Sequence, residues 1–223
     1  MSWRRRLEAA RAALSQEERA AEAAALTRAV GELDADTVCG YVPFGVEPGS
    51  LEMLDVLRDR GRTVLLPVIP TERGPLDWAE YTGPSSLAGG VFPQVLEPTG
   101  PRLGPNAIAE AEVVLVPALA VDRRGARLGK GAGYYDRSLP LASPGARFVA
   151  VVRDPEFVDR LPAEPHDVRM HAVLTPGRGV IDLPDSETPE LSSGVPSTSP
   201  VPRTSETSRD PGAAGAFEAS EPL

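Results

Sequence analysis

A single cysteine, Cys39, occurs in the 223-residue chain. It stands in an apolar run, so an intrachain disulfide and a cysteine-based zinc site are excluded, and the residue reads as a small buried hydrophobe. No apolar run reaches membrane-spanning length. The start carries arginines but lacks the apolar stretch of a secretory leader, so a cytoplasmic protein is expected. Basic residues are also short: 23 Lys and Arg stand against 32 Asp and Glu, net −9, which argues against a nucleic-acid binder. Internal repeats are absent. What remains, 41% hydrophobic and 25% charged, suits one globular domain with a sizeable core.

The end of the chain differs in character. Residues 185–223 hold six prolines, eight serines, four threonines and one aromatic, Phe217. Seven acids and two arginines make this stretch net −5, which leaves −4 for the rest. Such a composition buries too little surface to offset chain entropy. The expectation is a catalytic domain over 1–183 and a disordered acidic tail over 184–223.

The densest chemistry lies at Asp122-Arg123-Arg124-Gly125-Ala126-Arg127-Leu128-Gly129-Lys130-Gly131-Ala132-Gly133-Tyr134-Tyr135-Asp136-Arg137. It follows Val113-Val114-Leu115-Val116-Pro117-Ala118-Leu119-Ala120, an apolar run that reads as a buried strand. Glycines let the backbone approach a ligand and turn its N–H groups outward. Arg127 and Lys130 oppose phosphate charge, and Tyr-Tyr-Asp-Arg opens a helix whose start favours an anion. Beside phosphate oxygens, the Asp136 carboxylate suits Mg²⁺. The stretch is not a Walker A loop: three residues separate Gly125 from Gly129, and Gly131 follows Lys130 where Ser or Thr is required. Nor does Gly129-Lys130-Gly131-Ala132-Gly133 have the wider last gap of the dinucleotide fingerprint. The plainer alternative is a glycine-rich solvent loop.

Along the rest of the chain, 2–30 reads as helix, broken near Leu14 and Ser15 by a Ser15/Glu18 capping box and stopped at Gly31. Arg4, Arg5, Arg6 and Arg11 read as a solvated basic face. Strands are expected over 37–42, 63–68, 76–81, 147–152, 172–176 and 180–182. Ser50 would cap a helix over 51–60. Further short helices are expected over 134–139 and 155–161. Trp78 reads as core or pocket wall. Glu47, in the loop after the first strand, sits where open α/β sheets bind ligands. The alternation implies a three-layer α/β/α sandwich on a mostly parallel sheet.

The run 127–137 resembles the signature of the 5-formyltetrahydrofolate cyclo-ligase family, also called 5,10-methenyltetrahydrofolate synthetase. Ser15-Gln16-Glu17-Glu18-Arg19 is similar to the start of that family's second helix and sets the register. In this register Arg4 falls on an arginine that contacts ATP phosphates. The family's lysine falls at or before Met1, with Arg5 or Arg6 as possible substitutes. Val95-Leu96-Glu97-Pro98 resembles a Glu-Pro element, with Glu97 structural. Asp122 and Gly125 match an Asp-x-x-Gly, where Asp122 either orients Arg127 or turns the chain. The segment 162–168 matches a motif containing His166 and Asp167.

The resemblance implies ATP-dependent closure of 5-formyltetrahydrofolate to 5,10-methenyltetrahydrofolate, with ATP as co-substrate and Mg²⁺ as metal. Lys130 and Arg127 would be catalytic. Arg4, Arg127, Leu128, Gly129, Lys130, Gly131, Ala132, Gly133, Tyr134 and Tyr135 would hold the nucleotide. Val42, Glu47, Lys130, Gly131, Ala132, Gly133 and Tyr134 would hold the folate, and Asp136 the metal. Many members carry an aspartate where this chain has His171. Imidazole is a poor Mg²⁺ ligand, so His171 is expected to pack or hydrogen-bond, leaving Asp167 as candidate second carboxylate. His166 reads as a loop histidine or, less simply, a general base. The protein is expected to be a monomer acting on small molecules, without nucleic acid or membrane. Two alternatives stay open: a sugar-phosphate enzyme on a related sheet, and a non-catalytic paralogue binding nucleotide, folate or RNA.

Overall fold

A computed structural model describes residues 3–163 and 167–184. Local chemistry sets the first two helices. Between α1 (Trp3–Ala13) and α2 (Gln16–Gly31), Ser15 Oγ accepts the Glu18 N–H at 3.1 Å and the Glu18 carboxylate accepts the Ser15 N–H at 2.8 Å. These reciprocal bonds satisfy amide groups that a helix start leaves free. The Ser15 hydroxyl, donating to the carboxylate at 2.7 Å, and then the Ser15 N–H hold the Glu18 carboxyl below its ordinary value. α2 ends at Gly31 as expected, but its cap is right-handed Glu32 rather than a left-handed glycine.

The remaining elements follow in order. They are β1 (Thr37–Cys39), α3 (Glu52–Asp59), β2 (Thr63–Val68), β3 (Asp77–Glu80), β4 (Leu87–Gly89), β5 (Leu96–Pro98) and β6 (Val113–Pro117). Then come β7 (Ala120–Asp122), β8 (Arg127–Leu128), α4 (Tyr134–Ser138), β9 (Arg147–Val151), β10 (Phe157–Val158), β11 (Ala172–Thr175) and β12 (Gly179–Asp182). Short 3₁₀ turns cover Pro84–Ser86, Pro105–Glu110, Leu139–Leu141 and Asp154–Glu156.

Seven strands form one sheet in the order β12-β11-β9-β6-β1-β2-β3. The five inner strands pair in parallel, and β3 and β12 close the edges antiparallel. Side chains alternate between faces, as a strand requires. Val113 and Leu115 join the cluster of Leu26, Val30, Leu54 and Leu57 beneath α2 and α3. Val114 and Val116 face the other way, towards Trp78, Ile108 and Leu139. That second layer is built from 3₁₀ turns and the five-residue α4 rather than long helices. Prolines at 105 and 140 lie within those turns and limit helix growth there.

Several local expectations change. β1 stops at Cys39, since only Gly40 N–H still reaches the sheet, at Leu65 O, 2.8 Å. α3 starts at Glu52, and Ser50 bonds the Glu52 carboxylate, holding it below its ordinary value, instead of capping the helix. No helix forms over 155–161. A 3₁₀ turn captures Glu156, and Phe157–Val158 pairs with β7. Trp78 is core, fully buried. Cys39 is buried too, and burial pushes its thiol far above the ordinary range, so it supplies no nucleophile.

The sheet order contains a switch point. From β1 the chain moves through β2 to one edge, then returns to place β6 on the other side of β1. Loops leaving the carboxyl ends of β1 and β6 therefore diverge and open a crevice. Ser15→Ala is expected to cost about 1 kcal/mol. For a domain of this size, that lowers the melting temperature by about 2–4 °C, read by thermal denaturation.

Candidate active site

A cleft of about 700 Å³ opens at the switch point. Its walls include Tyr41 and Val42 after β1, and Pro117, Ala118 and Leu119 at the end of β6. The whole run Arg127–Asp136 lines it, together with Arg4 and Glu47. Arg4, Val42, Glu47 and the run 127–136, singled out for nucleotide, folate or metal, thus border one space, while Arg5 and Arg6 are not among its lining residues.

The glycine segment is fastened at its base and open at its tip. Asp122 Oδ1 accepts the N–H groups of Arg124 and Ala126, both at 2.9 Å, and Oδ2 accepts the Leu161 N–H at 2.9 Å. Asp122 therefore turns the chain rather than bonding Arg127. Gly125 has φ +78°, and a Cβ there would lie 2.4 Å from Met170 O, so only glycine fits. At the tip, Cβ atoms on Gly129 and Gly131 would meet nothing within 4 Å, so this backbone faces open space. Arg4 Nε donates to Gly129 O at 2.9 Å, bringing α1 onto the loop. Helix α4 has only five residues, so its dipole adds little and the side-chain cations carry the positive charge.

Those cations meet carboxylates, Lys130 across the cleft and Arg127 within its own segment. Lys130 Nζ lies 2.7 Å from Glu47 Oε1 and 5.4 Å from the centre of the Phe44 ring. Glu47 also accepts the Phe44 N–H at 3.0 Å, which aims it inward. Arg127, nearly buried, pairs with Asp136 and reaches Val168 O at 3.4 Å. Lys130 is 45% exposed and Asp136 60%, so water screens both pairs and anionic ligands can replace a partner. The Tyr135 hydroxyl is buried and has no hydrogen-bond partner among the described residues. Burial, and then the Glu47 charge, push its ionisation far up, so it stays a neutral donor. Tyr41, raised likewise by burial, donates to Pro48 O at 2.7 Å.

Among the described residues, no three or more His, Cys, Asp or Glu side chains cluster as a metal cage. Asp136 alone matches the way Mg²⁺ is held when a substrate's phosphates supply the other oxygens. Asp167 borders the same cleft. His171 lies exposed just before β11: its Nδ1 accepts the Phe148 N–H at 2.9 Å and its ring stacks on Phe148 with centroids 5.0 Å apart. It packs and hydrogen-bonds as expected. His166 lies outside the described residues.

Sequence reasoning missed Arg11 and the aromatic rim. Arg11 is buried, donates from Nε and Nη2 to both Glu156 oxygens at 2.6 and 2.7 Å, and from Nη2 to Ala118 O at 2.6 Å. Its only signal was the helical spacing from Arg4 and Leu7, which places all three on one face of α1. Phe44 and Phe92 line the cleft while partly exposed. Nothing in the periodicity marks them.

The 5-formyltetrahydrofolate cyclo-ligase family model matches residues 1–176. Over 151 residues the chain is 53% identical to the 5-formyltetrahydrofolate cyclo-ligase of Mycolicibacterium smegmatis, covering 66% of this chain and 77% of that protein. The Escherichia coli K12 protein of the same name is 30% identical over 146 residues, 65% of this chain and 80% of that one. The NMR structure of Aquifex aeolicus 5,10-methenyltetrahydrofolate synthetase superposes with a TM-score of 0.68 at 27% identity, covering 85% of this chain and 95% of that chain. With the family motif lining the cleft at the switch point, these likenesses show that the chain belongs to the 5-formyltetrahydrofolate cyclo-ligase family.

Proposed function

We propose that the protein closes 5-formyltetrahydrofolate to 5,10-methenyltetrahydrofolate at the expense of ATP, releasing ADP and phosphate. The observation that carries the reading is the 2.7 Å approach of Lys130 to Glu47 across the cleft. One side is built for phosphate and the other for the donor-rich edge of a pterin. A nucleotide and a folate held there meet where these two side chains now touch.

The chemistry accounts for the residue types. A formyl oxygen leaves poorly as it stands. Attack of that oxygen on the γ-phosphorus breaks the bond to the bridging oxygen of ADP and gives an imidate phosphate. N10 then attacks the formyl carbon, the carbon–oxygen bond breaks, and phosphate departs as N10 loses its proton. Such transfer depends on positioning and on neutralising spread negative charge. Lys130 and Arg127 would offset that charge, and the open N–H groups of the glycine segment would add to this. Arg4, on the cleft wall, holds Gly129 O and would add its charge to the nucleotide side. Glu47 receives the pterin N–H groups, Val42 lies against its ring, Tyr134 borders both substrates and Tyr135 the nucleotide. Asp136 would hold Mg²⁺ together with the phosphates, and the ion would offset their charge when bound.

Residues 1–183 form the catalytic domain in this reading, with 184–223 a separate tail. No helix among the described residues is long and apolar enough to cross a membrane. We take the protein as a cytoplasmic monomer acting on small molecules.

Purified protein with 5-formyltetrahydrofolate and MgATP should develop the absorbance of the methenyl product, and omission of ATP or addition of EDTA should abolish it. Product formation without ATP would overturn the reading. Lys130→Ala should lower kcat/KM by about 10²–10³-fold with an unchanged circular dichroism spectrum. Near-normal turnover in that variant would remove the glycine segment from the mechanism. Asp136→Asn should raise the Mg²⁺ concentration for half-maximal rate by about tenfold, read by titration at fixed ATP.

A further inference from the structure

We propose that Arg153 is a positioning residue for the folate side of the cleft, holding the loop that carries Glu47. The inference rests on the reading of Glu47 as the folate-binding carboxylate. Arg153 follows β9 and its side chain is 5% exposed. Its Nη1 donates to Val46 O at 3.0 Å, the carbonyl immediately before Glu47. Its Nε donates to Glu22 on α2 at 2.6 Å, and its backbone N–H to Glu156 Oε2 at 2.8 Å.

The same Glu156 takes both donors of Arg11, and Arg11 in turn holds Ala118 O. Leu119, next in the chain, donates its N–H to Leu128 O at 2.7 Å, beside Gly129. One buried set of hydrogen bonds thus runs from the glycine segment through Arg11 and Glu156 to the Arg153 backbone, and the Arg153 guanidinium carries it on to the loop of Glu47. Burying these ions has a desolvation cost, and apolar side chains of the same volume often stabilise as well or better. What apolar groups cannot do is grip the Val46 and Ala118 carbonyls. The network ends on those two carbonyls, one in each wall of the cleft.

The loop needs such a grip. Between β1 and α3 it belongs to neither sheet nor helix. Its own bonds are local: Glu47 N–H to Phe44 O at 3.1 Å and Phe44 N–H to the Glu47 carboxylate at 3.0 Å. Tyr41 holds Pro48 O from one side, and Arg153 holds Val46 O from the other. Glu47 lies between the two. Losing one anchor lets the carboxylate drift, and a shift of about 1 Å suffices to impair a reaction that depends on alignment.

Arg153→Met should still fold. Glu156 keeps both bonds to Arg11 and the unchanged residue-153 N–H, and Glu22 is 23% exposed and can be hydrated. The test measures KM for both substrates in Arg153→Met, Glu47→Gln and the double variant. The expected result is a rise of about tenfold in the 5-formyltetrahydrofolate KM of Arg153→Met, with the ATP KM moving less than about twofold. Because Arg153 acts through Glu47, the double variant should match Glu47→Gln alone rather than multiply the two losses. If Glu47→Gln raises the folate KM but Arg153→Met leaves it unchanged, shifts both KM values equally, or multiplies with Glu47→Gln, the positioning role is wrong. If Glu47→Gln itself leaves the folate KM unchanged, the reading of Glu47 falls and the inference falls with it. Should Arg153→Met prove insoluble, Arg153→Lys meets the same criteria, since one ammonium cannot reproduce the guanidinium fork between Glu22 and Val46 O.

Discussion

The parallel pairing of β6 against β1, Val38 beside Val113 and Cys39 beside Val114, is the constraint on which the site depends. Two strands far apart in sequence lie side by side, and the chain leaves their carboxyl ends in opposite directions. Everything with chemical character follows from that divergence. The Glu47 loop rises from one strand, the approach to the glycine segment rises from the other, and the gap between them is the cleft. The pairing is secured by apolar side chains on both faces, with Val113 and Leu115 packed one way and Val114 and Val116 the other. Parallel strands buried on both faces need such continuous apolar runs.

Around this frame, charge is arranged in two regimes. At the cleft surface Lys130 meets Glu47 and Arg127 meets Asp136, with at least one partner of each pair well exposed. Water and salt weaken such contacts, so they are exchangeable. Beneath the surface, Arg11, Glu156 and Arg153 are buried: Arg11 bonds Glu156 and Ala118 O, Glu156 also takes the Arg153 backbone N–H, and the Arg153 guanidinium bonds Glu22 and Val46 O. Breaking that set leaves a bare charge in a poorly solvated place. A protein that carries net −9 overall thus gathers arginine and lysine around one opening, where anionic substrates are drawn in.

Much of this was legible in the sequence, for reasons of range. The capping box at Ser15 and Glu18 involves neighbours in the chain, and β2 reads off its apolar run residue for residue. The glycine segment carries its own signature, and the family motif places Arg4, Glu47 and Val42 around it. What the sequence concealed is non-local. Arg11 looks like one more solvated arginine until Glu156, 145 residues away, meets it in the interior. The stretch 155–161 has helical character by itself, yet Glu156 is drawn to Arg11 and Phe157–Val158 to β7, and the helix does not form. Asp122 had two open roles until its oxygens were seen to bond Arg124, Ala126 and Leu161.

By itself the sequence determined the fold class, the glycine-rich loop between strand and helix and the family, because these rest on periodicity, glycine placement and a contiguous motif. Only the tertiary structure decided which charges are structural and which face the cleft. That distinction depends on burial and on partners distant in the chain, and no local pattern encodes either. His171 and Arg153 are single polar residues of similar appearance in the sequence. The fold stacks one against Phe148 at the start of β11 and turns the other towards the carbonyl beside Glu47.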